Sequence, residues 1–222
     1  FTDVVTDGGR IAKVPSTPAD PGEAVRSGVA AVSAEGSSRP ATLAHGTTVA
    51  TNALLERRGA VVTLVTNEGF ADLVEIARQD RPSLYDHWAD RPEPLVDGAH
   101  RVEVAGRLGP DGAELEPLDP ASIGPLPTDT EAVAVCLLHS DLDPAHERAV
   151  AAELERRGFD VSASCDVSPQ FREYERTVTT VANSYVRPRV QKYVKNLQSK
   201  LDARAKRVKL HILRSDGGLA SA

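Results

Sequence analysis

Two runs in this chain leave little freedom of fold. Ala60–Val65 (AVVTLV) and Glu131–Leu138 (EAVAVCLL) are apolar at almost every position, a pattern that a strand carries when both of its faces are buried. Each precedes a stretch with helical spacing, FADLVEIARQ after the first and DPAHERAVAAELERRG after the second. Strands buried on both faces and alternating with helices predict an α/β fold, built on a largely parallel sheet with helices on either side.

The remaining elements fit around that frame. FTDVVT, the turn DGG and RIAKV predict a hairpin. Asp20 as N-cap, Pro21 at the first helical position and Glu23 three residues after the cap predict a helix start with a capping box. ATLA reads as a short strand and ATNALLERR as a helix, with Arg57 and Arg58 at its negative end and Gly59 at the left-handed closing position. HRVEVAGRL and AELEPL, joined by GPDG, predict a second hairpin, and FDVSASCDV a strand. Two helices follow, roughly Gln170 to Tyr185 and Arg187 to Ala205, separated at Pro188, before the strand VKLHIL and the turn RSDGGL. There is no internal repeat and no low-complexity segment.

Composition narrows the class of function. With aromatics at 4% and no Met, Val, Leu and Ala must fill the core. The net charge of -6 comes from interspersed residues, which argues against a nucleic-acid surface. Basic residues gather between Arg187 and Lys209 at spacings that suit the wet face of a helix. Two cysteines are too few for a disulfide framework, and Cys136 sits in an apolar run where a thiol acts as a small hydrophobe. No apolar run approaches the roughly 20 residues that span a bilayer, and no basic-then-apolar leader opens the chain. The expectation is a cytoplasmic protein with no membrane or nucleic-acid partner.

The run His45–Ala60, HGTTVATNALLERRGA, packs hydrogen-bonding side chains into a strand-to-helix junction. The first amides of a helix lack intrahelical partners and attract anions. Thr47 and Thr48 add hydroxyls, Gly46 allows close backbone approach, and His45, Thr51 and Asn52 add further polar groups. Capping alone needs one such residue, so the run points to a corner that binds an anion or a carbonyl oxygen. Ser215 to Gly218 (SDGG) follows a buried strand, where open α/β sheets bind ligands, although a plain turn fits equally well. Asp3, on a strand near a glycine turn, is a candidate magnesium ligand with a structural role as the alternative. The phosphate loop GxxxxGK, the fingerprint GxGxxG and the elbow GxSxG are all absent, and neither cysteine has a neighbouring base. His139 and His146 with Glu147 read as a strand end and a capped helix rather than as a zinc site.

Five ordered motifs, HGTTVATNALLERRGA, LVTNEGFADLVEIARQDRPSLYD, AVCLLHSDLDPAHERAVAAEL, VSPQFREYERTVTTVANSYVRP and RSDGGL, resemble the N-terminal region of the hydantoinase A/5-oxoprolinase family over nearly the whole chain. The resemblance implies a ribonuclease-H-like, actin-like ATPase lobe of the acetate and sugar kinase/actin superfamily, with residues 1–186 as the N-terminal domain and 187–222 as a linker helix and the start of the next domain. It implies ATP and magnesium as cofactors and the opening of a cyclic amide through phosphorylation of its carbonyl oxygen, with a second, hydantoinase B-type subunit as partner in a homo- or hetero-oligomer. Carried over by position, His45, Thr48 and Asn52 are the catalytic candidates, and Gly46, Thr47 and Thr51 face the substrate. Thr2, Asp3, Ser215, Gly217 and Gly218 hold the nucleotide, with Asp3 also near the metal. The family's motifs around Glu75, Arg78 and Gln79 and around Tyr174, Glu175 and Arg176 carry no assigned role. Asp216 replaces the usual Asn, the Asp-x-Gly-Gly-Thr opening is missing, and the second phosphate loop is not reached. The expectation is therefore a piece of a longer enzyme, inactive alone. Two alternatives stay open: the ATP-using subunit of an acetone-type carboxylase, and a catalytically silent lobe that serves in assembly.

Overall fold

The computed structural model describes residues 1–17, 20–33, 41–202, 208–214 and 217–221. In chain order the elements begin with β1 (Thr2–Val5), β2 (Ile11–Val14), α1 (Pro21–Val32), β3 (Thr42–His45), α2 (Val49–Leu55), β4 (Val62–Asn67) and α3 (Leu73–Ile76). They continue with β5 (Arg101–Val104), β6 (Arg107–Leu108), β7 (Glu114–Glu116), β8 (Ala132–Val135) and α4 (Ala145–Arg156). The last are β9 (Val161–Ala163), α5 (Ser164–Val167), α6 (Glu173–Asp202), β10 (Lys209–Leu213) and β11 (Leu219–Ser221). These form two compact units, Phe1–Ala50 with Arg189–Ala222, and Thr51–Pro188.

The larger unit is built on the two apolar runs. Its sheet has the order β5-β4-β8-β9, and all three pairings are parallel, with Val62 opposite Ala132 and Val133 opposite Val161. Every residue of β4 and β8 is buried, as runs without polar alternation require. One face packs Val65, Val133 and Val135 with Val150 and Leu154 of α4. The other packs Leu64 and Ala134 with Val181 and Tyr185 of α6. The parallel sheet with helices on both faces is thus the one that the sequence predicts.

In the smaller unit β1 and β2 form the expected hairpin, Thr2 opposite Val14. β10 lies parallel to β3, placing Ile212 opposite His45, and antiparallel to β11. Its core is Val25, Leu197 and Leu210, with Tyr193 and Val194 packed against them. Asp20 takes the N-cap position of α1 but makes no side-chain cap bond. Its carboxylate pairs with Lys200 instead, and Glu23 pairs with Arg26, so charged partners displace the capping box.

Five local expectations are corrected. α2 stops at Leu55, and the left-handed residue is Arg57, not Gly59. Its guanidinium bonds to the carbonyls of Glu93 and Pro94, while Gly59 is needed because a β-carbon there would collide with the Tyr185 ring. The helix expected over FADLVEIARQ shrinks to Leu73–Ile76, ended by Ala77 at φ 51°, where Arg91 takes the Glu75 and Ile76 carbonyls. HRVEV joins β4 rather than the second hairpin; Gly106, at φ 107°, turns the chain so that only Arg107 and Leu108 pair with β7. β9 ends at Ala163, since the Cys165 amide is drawn to the Glu147 carboxylate and α5 begins. Finally, α6 runs unbroken through Pro188. Proline forfeits one helical bond there, and core anchors on either side, Val181 and Tyr185 before it and Leu197 after it, hold the flanking turns.

Candidate active site

His45 ends β3, and Val49 begins α2, so the polar run occupies a strand-to-helix junction as expected. α2 has only seven residues, and a helix that short offers little macrodipole, so the corner's chemistry rests on its side chains. Thr47 Oγ1 accepts the Val49 amide at 3.3 Å and so does the turn's own work. Thr48, Thr51 and Asn52 are exposed, and their side chains have no hydrogen-bond partner among the described residues. Gly46 is not required by packing, because a β-carbon there would make ordinary contact with Leu213 at 3.6 Å. His45 is half-buried, and its Nε2 lies 2.6 Å from the Tyr193 hydroxyl. Burial holds the imidazole below its usual pKa and pushes the phenol above its own. Tyr193 packs with Val194 against Leu197 on α6, and the sequence reading gave it no role.

The nucleotide candidates are less developed. Thr2 Oγ1 is 3.4 Å from the Ser16 hydroxyl, and the Asp3 carboxylate is 3.2 Å from Lys13 Nζ, both ends exposed. Among the described residues no group of three or more His, Cys, Asp or Glu side chains could hold a metal ion. Asp3 fits at most an ion that arrives bound to phosphate oxygens. Gly217, at φ 83°, takes the left-handed position of a turn closed by Arg214 N to Gly218 O at 2.8 Å. Ser215 lies outside the described residues.

His146 Nε2 meets Glu114 at 2.8 Å. Burial raises the Cys136 thiol, and burial with the nearby Glu147 carboxylate pushes Cys165 up to about 12, which disfavours the thiolate in both. The two unassigned motifs meet: Arg78 donates through Nε and Nη2 to Glu175 Oε1, at 2.7 and 2.5 Å. Arg78 and Tyr174 line a cavity of about 760 Å³ whose floor includes Val74, Val96 and Val181. No helix among the described residues is long and apolar enough to cross a membrane.

Comparison with known proteins places this geometry. The profile of the hydantoinase/oxoprolinase N-terminal region matches residues 1–158, and the hydantoinase/oxoprolinase profile matches 176–222. Caprolactamase subunit alpha of Pseudomonas jessenii is 33% identical over 224 residues, which cover 94% of this chain and 32% of that protein. 5-Oxoprolinase 1 of Arabidopsis thaliana is 35% identical over 198 residues, covering 79% of this chain and 16% of that protein. The crystal structure of the ATP-dependent caprolactamase from Pseudomonas jessenii superposes with a TM-score of 0.87 at 31% identity, over 99% of this chain and 35% of that one. The chain thus spans about a third or less of these relatives. On the two profile matches and this shared α/β fold, the chain belongs to the hydantoinase/oxoprolinase family.

Proposed function

We propose that this chain is the N-terminal part of an ATP-dependent hydrolase that opens a cyclic amide. The observation that carries the reading is the junction after β3, where the hydroxyls of Thr48 and Thr51 and the amide of Asn52 are exposed and have no hydrogen-bond partner among the described residues. An amide is a poor electrophile because resonance stabilises it. ATP would supply the phosphoryl group that makes its carbonyl carbon reactive. Thr48 and Asn52, with His45, would donate hydrogen bonds to the oxygen as charge develops on it, while Gly46, Thr47 and Thr51 shape the approach. Water would then add to the carbonyl carbon, the C–N bond would break with the ring nitrogen taking a proton, and a second water would hydrolyse the remaining acyl phosphate to carboxylate and inorganic phosphate.

In this reading the chain forms an actin-like ATPase lobe, with residues 1–186 as the family's N-terminal domain and 187–222 leading into the next. The turn at Gly217 and Gly218, Ser215 and the hairpin residues Thr2 and Asp3 would face nucleotide, Asp3 sharing a magnesium ion with the phosphates. A second subunit completes the enzyme, as the name of the related caprolactamase subunit alpha suggests, and the setting is the cytoplasm.

The test uses the longer protein that carries this chain. Thr48→Val and Asn52→Leu should each lower lactam- or oxoproline-stimulated ATP hydrolysis by about 10²-fold, as loss of a donor to a developing oxyanion does, with the melting temperature unchanged. Normal turnover in both variants would return these residues to capping. Stimulation by a ketone with bicarbonate, and not by cyclic amides, would move the protein to the carboxylase branch.

A further inference from the structure

His45 is held by a hydrogen bond to Tyr193. The Tyr193 phenol lies 2.6 Å from His45 Nε2, with the ring centroids 5.7 Å apart and tilted by 46°. Which way the proton points follows from chemistry. A phenol donates far better than it accepts, and the bare nitrogen of a neutral imidazole is the better acceptor of the two, so the phenolic proton belongs in the contact with Nε2.

The rest of the ring follows. A neutral imidazole that accepts at Nε2 carries its one proton on Nδ1. Nδ1 has no hydrogen-bond partner among the described residues, and no carboxylate there pairs with the ring. We propose that Tyr193 is a positioning residue that holds His45 as the neutral Nδ1–H tautomer, making His45 a hydrogen-bond donor to a substrate or phosphoryl oxygen rather than a general base. The tautomer stands on the geometry alone; its use on substrate rests on the proposed function. A general base needs a free lone pair on nitrogen, and this arrangement leaves none: one nitrogen is protonated and the other is already accepting.

The test is nitrogen NMR on the full 222-residue chain, labelled at histidine, with the His45 ring assigned by its loss in His45→Gln. His45 should show a pyrrole-type Nδ1 and a pyridine-type Nε2. In Tyr193→Phe, which keeps the ring and its packing, the signals should shift toward the ordinary mixture in which Nε2–H predominates. The wild-type tautomer is itself a second measurement should Tyr193→Phe misfold. A wild-type ring protonated at Nε2, or one unmoved by Tyr193→Phe, overturns the proposal. In the longer enzyme, Tyr193→Phe should lower kcat about 10-fold with little change in KM, the loss of roughly one oriented bond in the transition state. If His45→Gln itself left turnover intact while the tautomer result held, the functional reading of His45 would fail and the positioning assignment would survive.

Discussion

Two polar clusters in this protein are built in opposite ways. In the larger unit, Glu147 is completely buried. Its carboxylate accepts from the Leu137 amide at 2.7 Å, the Ser164 hydroxyl at 2.6 Å and the Cys165 amide at 2.7 Å. Arg176, also buried, donates to Asp141 at 2.7 Å and to the carbonyl of the same Leu137 at 2.5 Å. Glu147 and Arg176 thereby grip both ends of one residue where the chain leaves β8. Asn67 completes the closure by accepting from Leu138 N at 2.7 Å and donating to Gly106 O at 2.6 Å. This is the carboxyl end of a parallel sheet, where open α/β folds commonly bind ligands, and here the protein's own groups fill it. The His45 junction in the smaller unit is the converse. Its imidazole is partnered on one nitrogen, and Thr48 is exposed with its hydroxyl unspent. Apart from Arg176 Nε, which is buried without a hydrogen-bond partner, the members of the first cluster satisfy one another and tie the fold together, whereas the second keeps donors in reserve.

The comparison breaks most readily at Glu147. Replacing it by Ala strands the buried Leu137 amide, the part-buried Cys165 amide and the buried Ser164 hydroxyl, each costing about 1–3 kcal/mol unpaired, so stability should fall by roughly 3–5 kcal/mol. Urea unfolding followed by circular dichroism reads this directly. A loss below about 1 kcal/mol would mean that water replaces the carboxylate and that the cluster is not closed.

At the junction the same kind of cut should be mild. Tyr193→Phe removes one hydrogen bond at a half-buried site and leaves the ring in its core, so the cost should be about 0.5–1.5 kcal/mol by the same urea titration. A loss above about 3 kcal/mol would make the junction structural and erase the distinction between the clusters.

What could be seen in the sequence divides along this same line. The apolar runs of β4 and β8 announced a parallel sheet because burial on both faces leaves a local pattern, and the polar density from His45 to Asn52 stood out because capping needs far less. What could not be seen were partnerships between distant residues. Arg91 reaching back to the carbonyls of Glu75 and Ile76 ended a helix that the local spacing favoured. Core anchors on both sides of Pro188 carried α6 through a residue that usually stops one. Tyr193 had no role in the sequence reading, and only its distance to His45 reveals one. Glu147 read as part of a helix start, and its three buried donors come from residues 10 to 18 positions away.

A third arrangement sharpens the contrast with the smallest effect. His100 is partnered on both ring nitrogens, with Asp97 Oδ1 at 2.8 Å from Nδ1 and Asp129 Oδ1 at 3.1 Å from Nε2, yet both carboxylates are well exposed. The hydrogen bond to Asp97, then that to Asp129, raises the imidazole pKa against a partly opposing loss of solvation, whereas burial lowers that of His45. The signs therefore oppose. A histidine whose folded pKa is raised stabilises the fold fully below its unfolded value near 6.5, and that contribution disappears as pH rises through the folded pKa. A histidine whose folded pKa is lowered favours the fold above 6.5, and it weakens the fold as acid forces the proton on. Proton NMR titration should show His100 ending its transition above 6.5 and His45 below it. Asp97→Asn should bring His100 back toward the ordinary value and leave His45 where it was. If both rings titrated together near 6.5, neither pairing would hold its proton in solution, and the distinction between a histidine held charged and one held neutral would be lost.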